Sequence, residues 1–161
     1  MSYYAIIDSP LDSLCLTSDG EHITGLHMEP TLSQKILSRC KRSPNLFKEA
    51  IEQINAYFYD GLTSFTLPLK PPGTPFQRRV WQQLEAIPFG STTNYRVIAE
   101  YLDRPKGARA IGAANGRNPI CILIPCHRVV ASSGDLCGYR GGLLRKQWLL
   151  NHETGQMDLF N

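Results

Sequence analysis

The chain has 161 residues, 42% hydrophobic and 19% charged, a balance that suits one globular domain or two small lobes and excludes a disordered chain. No apolar run approaches membrane-spanning length, no charged start leads into an apolar stretch, and the cysteines at 15, 40, 121, 126 and 137 lack disulfide-scaffold spacing. The expectation is a soluble protein of a reducing compartment, without a signal peptide and with its thiols reduced. The net charge of +3 is uneven: residues 1–73 carry six Lys and Arg against eight Asp and Glu, and residues 74–161 eleven against six. The basic excess fits either a polyanion partner or an ordinary solvated surface.

Residues 3–8, 13–17 and 22–28 read as three strands, parted by the turn signals Ser9-Pro10 and Ser18-Asp19-Gly20, and predict an antiparallel meander. Cys15, His22, His27 and Cys40 contain no pair with structural-zinc spacing, so no metal is expected. After a polar break at Lys41–Pro44, Leu46, Phe47, Ala50, Ile51, Ile54, Tyr57 and Phe58 recur at helical spacing, with Asn45 as N-cap and Gly61 past the end. Residues 63–69 are extended. Pro68, Pro71, Pro72, Gly73 and Pro75 form a stiff connection, the best boundary in the chain.

Thr74 caps a further helix with Pro75 at its first position and Phe76, Val80, Trp81 and Leu84 on its buried stripe. Thr93–Leu102 and Gly107–Asn115 follow as two short helices, joined by a turn at Asp103–Lys106. Their spacing fits a helix-turn-helix, a unit that binds DNA in many proteins and is only packing in others. The second helix is nearly all Ala and Gly, with Arg109 its only long polar side chain. It lacks the polar residues that read bases in a major groove. Its small side chains suit close approach to DNA, the minor groove included, or close packing on a core. Leu143, Leu144, Trp148, Leu149 and Leu150 mark a last helix ending near His152-Glu153, and the tail from Thr154 reads as polar and loose.

Between these elements lies Ile124-Pro125-Cys126-His127-Arg128-Val129, with a strand Cys121–Ile124 read before it and Val129-Val130-Ala131 after it. A thiol beside an imidazole is held partly as thiolate, the nucleophilic form, or is simply a small buried hydrophobe. Gly138-Tyr139-Arg140-Gly141-Gly142 is a loop able to approach a ligand closely.

Pro125-Cys126-His127-Arg128-Val129, with Asn118-Pro119 before it and with Tyr139-Arg140-Gly141-Gly142 and Trp148-Leu149-Leu150-Asn151-His152-Glu153 after it, resembles the O6-alkylguanine-DNA alkyltransferases, the methylated-DNA–protein-cysteine methyltransferase family. The likeness runs from about Thr74 to Glu153 and includes Ala108–Gly116; the N-terminal lobe matches loosely, through Asp8-Ser9-Pro10-Leu11. It implies an α+β protein with a ribonuclease-like N-terminal α/β lobe at 1–73, and a mostly helical DNA-binding and alkyl-acceptor lobe at 74–161. The implied activity is irreversible, stoichiometric transfer of an alkyl group from O6 of guanine in duplex DNA to Cys126, after minor-groove binding and base flipping. Transfer from O4 of thymine stays open.

By position, the resemblance makes Cys126 the acceptor and His127 its base through a water. Glu153 orients His127, Asn118 supports the turn, and Tyr95 aids rotation of the nucleotide. Arg109 fills the gap left by the flipped base, on a DNA face with Tyr95, Ala108, Ala110, Gly112, Ala113 and Asn115. The substrate pocket is read as Val129, Tyr139, Arg140, Gly141 and Lys146. Arg140 departs from the Ser of some members. No cofactor, metal or membrane is implied; the partner is duplex DNA containing O6-alkylguanine. A monomer is expected, with cooperativity on DNA left open, in the cytoplasm (with the nucleoid in a bacterium, in the nucleus of a eukaryote). A non-catalytic binder of alkylated DNA and a cysteine hydrolase are the competing readings.

Overall fold

The computed structural model describes residues 1–155 apart from Glu29, Pro105 and Cys137, and only the backbone of residues 30–33. The chain divides into two compact units: Met1–Pro72 with Pro119–Leu123, and Gly73–Asn118 with the chain from Ile124 on.

The first unit is built on a four-stranded sheet, β1 (Tyr3–Ile7), β2 (Leu14–Ser18), β3 (Ile23–His27) and β4 (Lys41–Arg42), in the order β3-β2-β1-β4. β1, β2 and β3 form the expected antiparallel meander. Its turns are set by side chains that capture backbone donors: Ser9 Oγ accepts from Leu11 N at 3.0 Å, and Asp19 Oδ1 accepts from Glu21 N and His22 N at 2.9 and 2.7 Å. Those two backbone bonds hold the Asp19 carboxyl down at about 2. β2 is buried along its whole length.

Two elements were not expected. Helix α1 spans Pro30–Leu37, and Lys41–Arg42, read as part of a polar break, pairs parallel with β1 as β4. Both residues of β4 are exposed, so it has no hydrophobic pattern to read. The amphipathic segment is a 3₁₀ turn, Pro44–Phe47, leading into α2 (Lys48–Tyr59), which buries Ala50, Ile54, Tyr57 and Phe58. Asn45 is therefore not the cap. It lies inside the 3₁₀ turn, and Phe47 is the N-cap of α2, without a side-chain bond.

The strand expected at Cys121–Ile124 is also corrected. Leu26 N donates to Pro119 O and Cys121 N to Leu26 O, so the chain at 119–121 lies along the outer edge of β3, and only Ile120 pairs, with Leu26. Pro68 O and Lys70 N bond Ile23 further along the same edge. These two short pieces occupy donors and acceptors that would otherwise invite pairing with another chain. The run then breaks. Ile122 takes φ +73°, and Leu123 N donates to Cys121 O at 2.8 Å, a γ-turn that is strained for a β-branched residue.

The second unit is largely helical: α3 (Pro75–Glu85), α4 (Tyr95–Tyr101), α5 (Ala108–Gly116) and α6 (Leu143–Thr154), with β5 (Thr93–Asn94) and β6 (Val129–Val130) paired parallel. α3 starts at the expected cap as a full capping box: Thr74 Oγ1 accepts from Gln77 N, and Gln77 Oε1 accepts from Thr74 N. Asn94 caps α4 by accepting from Val97 N. α6 continues through Thr154 to a left-handed Gly155, so the tail begins later than read; Gln156–Asn161 and Pro105 lie outside the described residues.

α5 packs on both α3 and α4. The α3 contact is anchored by the buried Trp81, whose Nε1 donates to Ala114 O at 2.9 Å. Trp81→Phe keeps most of the ring and removes that bond, leaving Ala114 O with Arg117 N as a donor at 3.1 Å. It should destabilise the protein by about 0.5–1.5 kcal/mol in chemical denaturation; no measurable change would show that this bond does not hold α5 in place.

Candidate active site

The backbone around Cys126 is fixed from both sides. Pro125 sits at φ −81°, ψ 65°, and Cys126 N donates to Ile124 O at 2.8 Å, an inverse γ-turn that leads into the 3₁₀ turn Cys126–Arg128. Ile124 O also accepts from Asn118 Nδ2 at 2.8 Å. On the far side, Cys126 O accepts from Val129 N and, at 3.4 Å, from Asn115 Nδ2. Asn115 lies in the last turn of α5 and Asn118 just beyond it, so one helix terminus supplies both amides. Cys126 itself is 3% exposed and is a thiol, not a disulfide.

His127 is fully buried, and its Nε2 lies 2.7 Å from Glu153 Oε2, at the end of α6. Glu153 is gripped from its other side by Arg128: Nε donates to Oε1 at 2.7 Å, Nη2 donates to Oε2 at 3.0 Å, and Nη1 donates to Ile87 O at 2.7 Å. The guanidinium carbon also stands 5.8 Å from the centre of the Phe89 ring. Fork geometry of this kind is the strong form of an Arg–carboxylate pair. His127 Nδ1 is buried with no hydrogen-bond partner among the described residues.

Burial pushes the His127 pKa below its ordinary 6.5; Glu153 pulls upward but does not overcome it, and the Arg128 and Lys146 charges reinforce the fall. The imidazole is therefore neutral near pH 7. Lys146, also fully buried, donates from Nζ to Val129 O at 2.7 Å.

A cleft of about 680 Å³ opens on the same unit, lined by Tyr95, Ala108, Arg109, Gly112, Gly116 and the loop residues Gly138, Tyr139 and Arg140. Ala108, Arg109, Ala110 and Ala113 are exposed on α5. The Tyr95 ring lies against Gly112, 3.8 Å from where a Cβ would stand.

The sequence-predicted residues thus fall into groups. Cys126, Asn118 and Asn115 share one backbone clamp, and His127 and Glu153 form a buried pair. Tyr95, Arg109, Tyr139 and Arg140 line the cleft. Asn115, expected on the DNA face, is turned inward and 3% exposed, because its amide is used at Cys126. Val129, Lys146 and Gly141, expected in the pocket, are buried and absent from the cleft lining: Lys146 bonds Val129, and Gly141 O accepts from Arg145 Nη1 at 3.0 Å. Arg128 was missed as a site residue; the signal available was an Arg beside a buried acid's histidine, since a buried carboxylate needs a partner.

The model for "6-O-methylguanine DNA methyltransferase, DNA binding domain" matches residues 75–155, and that for its ribonuclease-like domain matches residues 2–71. The chain belongs to the 6-O-methylguanine DNA methyltransferase family. The expectation drawn from the motifs holds. The methylated-DNA–protein-cysteine methyltransferase of Mycobacterium tuberculosis is 44% identical over 156 residues, 97% of this chain and 94% of the relative. That of Methanosarcina acetivorans is 41% identical over 152 residues, 94% of this chain and 97% of the relative. The crystal structure of the M. tuberculosis O6-methylguanine methyltransferase superposes with a TM-score of 0.91 at 43% identity, covering 99% of this chain and 96% of the other. The same organism's protein in complex with DNA gives 0.89 at 43% identity, covering 98% and 96%.

The depressed His127 value has a consequence for stability. Between the folded and unfolded pKa values the unfolded chain binds the extra proton, so the contribution is full above the unfolded value near 6.5 and is lost as pH falls below it. Chemical denaturation should show stability falling from about pH 7.5 to about pH 5.5 more steeply in the natural protein than in His127→Gln. Equal slopes would mean that His127 is not buried neutral.

Proposed function

We propose that this protein repairs duplex DNA by moving an alkyl group from O6 of guanine to Sγ of Cys126, once per molecule. The observation that carries the reading is the buried thiol beside a neutral histidine whose Nε2 is occupied by Glu153 and whose Nδ1 has no partner among the described residues. A thiol needs a base to become a nucleophile, and Nδ1 is the lone pair available to draw the proton through one bridging water.

The alkyl carbon on O6 is a soft electrophile. Thiolate attack forms the S–C bond and breaks the C–O6 bond; guanine leaves with the electron pair and takes up a proton, which the Tyr95 phenol lining the cleft supplies. The product is a thioether. It has no carbonyl for water to attack, in contrast to the acyl-enzyme of a cysteine hydrolase, so the protein is consumed. O4-alkylthymine carries its alkyl group on an equivalent oxygen and is open to the same displacement.

The small exposed residues of α5 support close approach to the minor groove, with Arg109 entering the space left by the extruded base, Tyr95 turning the nucleotide, and Tyr139 and Arg140 meeting it from the loop. Extrusion costs a few kcal/mol, least for a base that already pairs badly. The basic excess of the second half supplies phosphate contacts that weaken with salt. The DNA-bound M. tuberculosis relative supports DNA as the partner. The working form is a monomer in the compartment that holds the DNA.

Intact mass after mixing with a duplex carrying O6-methylguanine tests the reading: one methyl per chain is expected, lost in Cys126→Ala. Binding without any mass gain would instead indicate a non-catalytic lesion binder, and repeated turnover on an ester a hydrolase. Arg109→Ala should slow repair in the duplex by about tenfold or more while leaving reaction with free O6-benzylguanine within about twofold; equal losses in both assays would remove Arg109 from extrusion.

A further inference from the structure

The Arg128 fork does more than offset a charge. A carboxylate taken out of water tends to protonate. A protonated Glu153 would be a donor, its O–H directed at the His127 Nε2 lone pair, which leaves the ring hydrogen on Nδ1. That tautomer is useless as a base toward Cys126, because its lone pair faces Glu153. An ionised Glu153 only accepts, so Nε2 must carry the hydrogen and Nδ1 the lone pair.

The deciding contact is the one that keeps Glu153 an anion, and Arg128 supplies it. Two of its donors take both carboxylate oxygens at 2.7 and 3.0 Å, and a third is pinned to Ile87 O at 2.7 Å, so the guanidinium plane cannot rotate away. We propose that Arg128 is a positioning residue for the transfer, holding Glu153 ionised and thereby fixing His127 as the Nε2–H tautomer with Nδ1 open as the base. The inference rests on the alkyl-transfer reading and assigns the working state of that site.

The charged groups around His127 are Glu153 and Lys146 from α6 and Arg128 from its own turn. Replacing Arg128 by a neutral residue removes a cation beside His127 and Glu153, so the pair takes up a proton more easily. The acid limb of the transfer rate therefore moves to higher pH.

The tautomer is read by ¹⁵N NMR of the histidine rings, with His127 assigned through His127→Gln. The rate is read by single-turnover methyl transfer across pH. Expected for the natural protein is hydrogen on Nε2 and an acid limb below 6.5. Arg128→Lys keeps the cation and should keep both features, with a slower rate because the fork is lost. Arg128→Gln should mix the tautomers, raise the acid limb by about one pH unit and lower the rate at pH 7 by about tenfold or more. Hydrogen on Nδ1 in the natural protein overturns the proposal, and so does a folded Arg128→Gln with unchanged tautomer and pH profile. If Arg128→Gln does not fold, Arg128→Lys decides: an unmoved limb supports the proposal and a raised one overturns it. Absence of methyl transfer by the natural protein would sink the repair reading instead, which the tautomer measurement keeps separate.

Discussion

Everything at the site depends on one buried negative charge. Glu153 stands where a carboxylate is several kcal/mol worse off than in water unless its oxygens are matched. Here Arg128 matches both and His127 takes a further position on Oε2. The arrangement ties three segments together: the end of α6, the 3₁₀ turn after Cys126, and, through Ile87 O, the chain just beyond α3. Removing one partner from such a pair costs about 3–5 kcal/mol, because the other charge stays buried. The same network therefore shapes the unit and, on the proposed reading, decides which nitrogen of the histidine carries the hydrogen.

The second constraint is on the backbone. Two consecutive tight turns, at Ile122 and Pro125, bring the chain into the Cys126 turn. The first holds a β-branched residue in a region that costs about 1–3 kcal/mol. Asn115 and Asn118 hold the second by bonding the carbonyls of Cys126 and Ile124. On the proposed reading the nucleophile reacts once and has to be shielded yet pre-aimed, and a buried thiol on a backbone fixed at both carbonyls meets both demands.

Much of this was legible in the sequence, for identifiable reasons. The meander was, because Ser9, Asp19 and Gly20 are turn chemistry with a mechanism. The start of α3 was, because Thr74-Pro75 and Gln77 write a capping box. The family was, because Cys126, His127, Asn118 and Glu153 stand in a family order that chance does not produce. What stayed hidden were polar residues that fold inward. Asn115, Arg128 and Lys146 look like surface in any periodicity count, and each is buried on a partner that lies far along the chain or on the backbone. α6 shows the same effect: its buried residues are Lys146, Leu149 and Glu153, while Leu144 is 90% exposed. The lost strand at Cys121–Ile124 has a related cause, since an apolar run does not reveal a turn at a residue that disfavours it.

The account stands or falls on the charge of Glu153. The most direct measurement is single-turnover methyl transfer by Glu153→Gln, taken beside its affinity for the methylated duplex. Gln keeps the shape and one acceptor but turns an N–H toward His127 Nε2, removing the anion without opening a cavity. The account predicts a rate lower by about a hundredfold, the scale of a lost general base, with duplex affinity unchanged. An unchanged rate would contradict it.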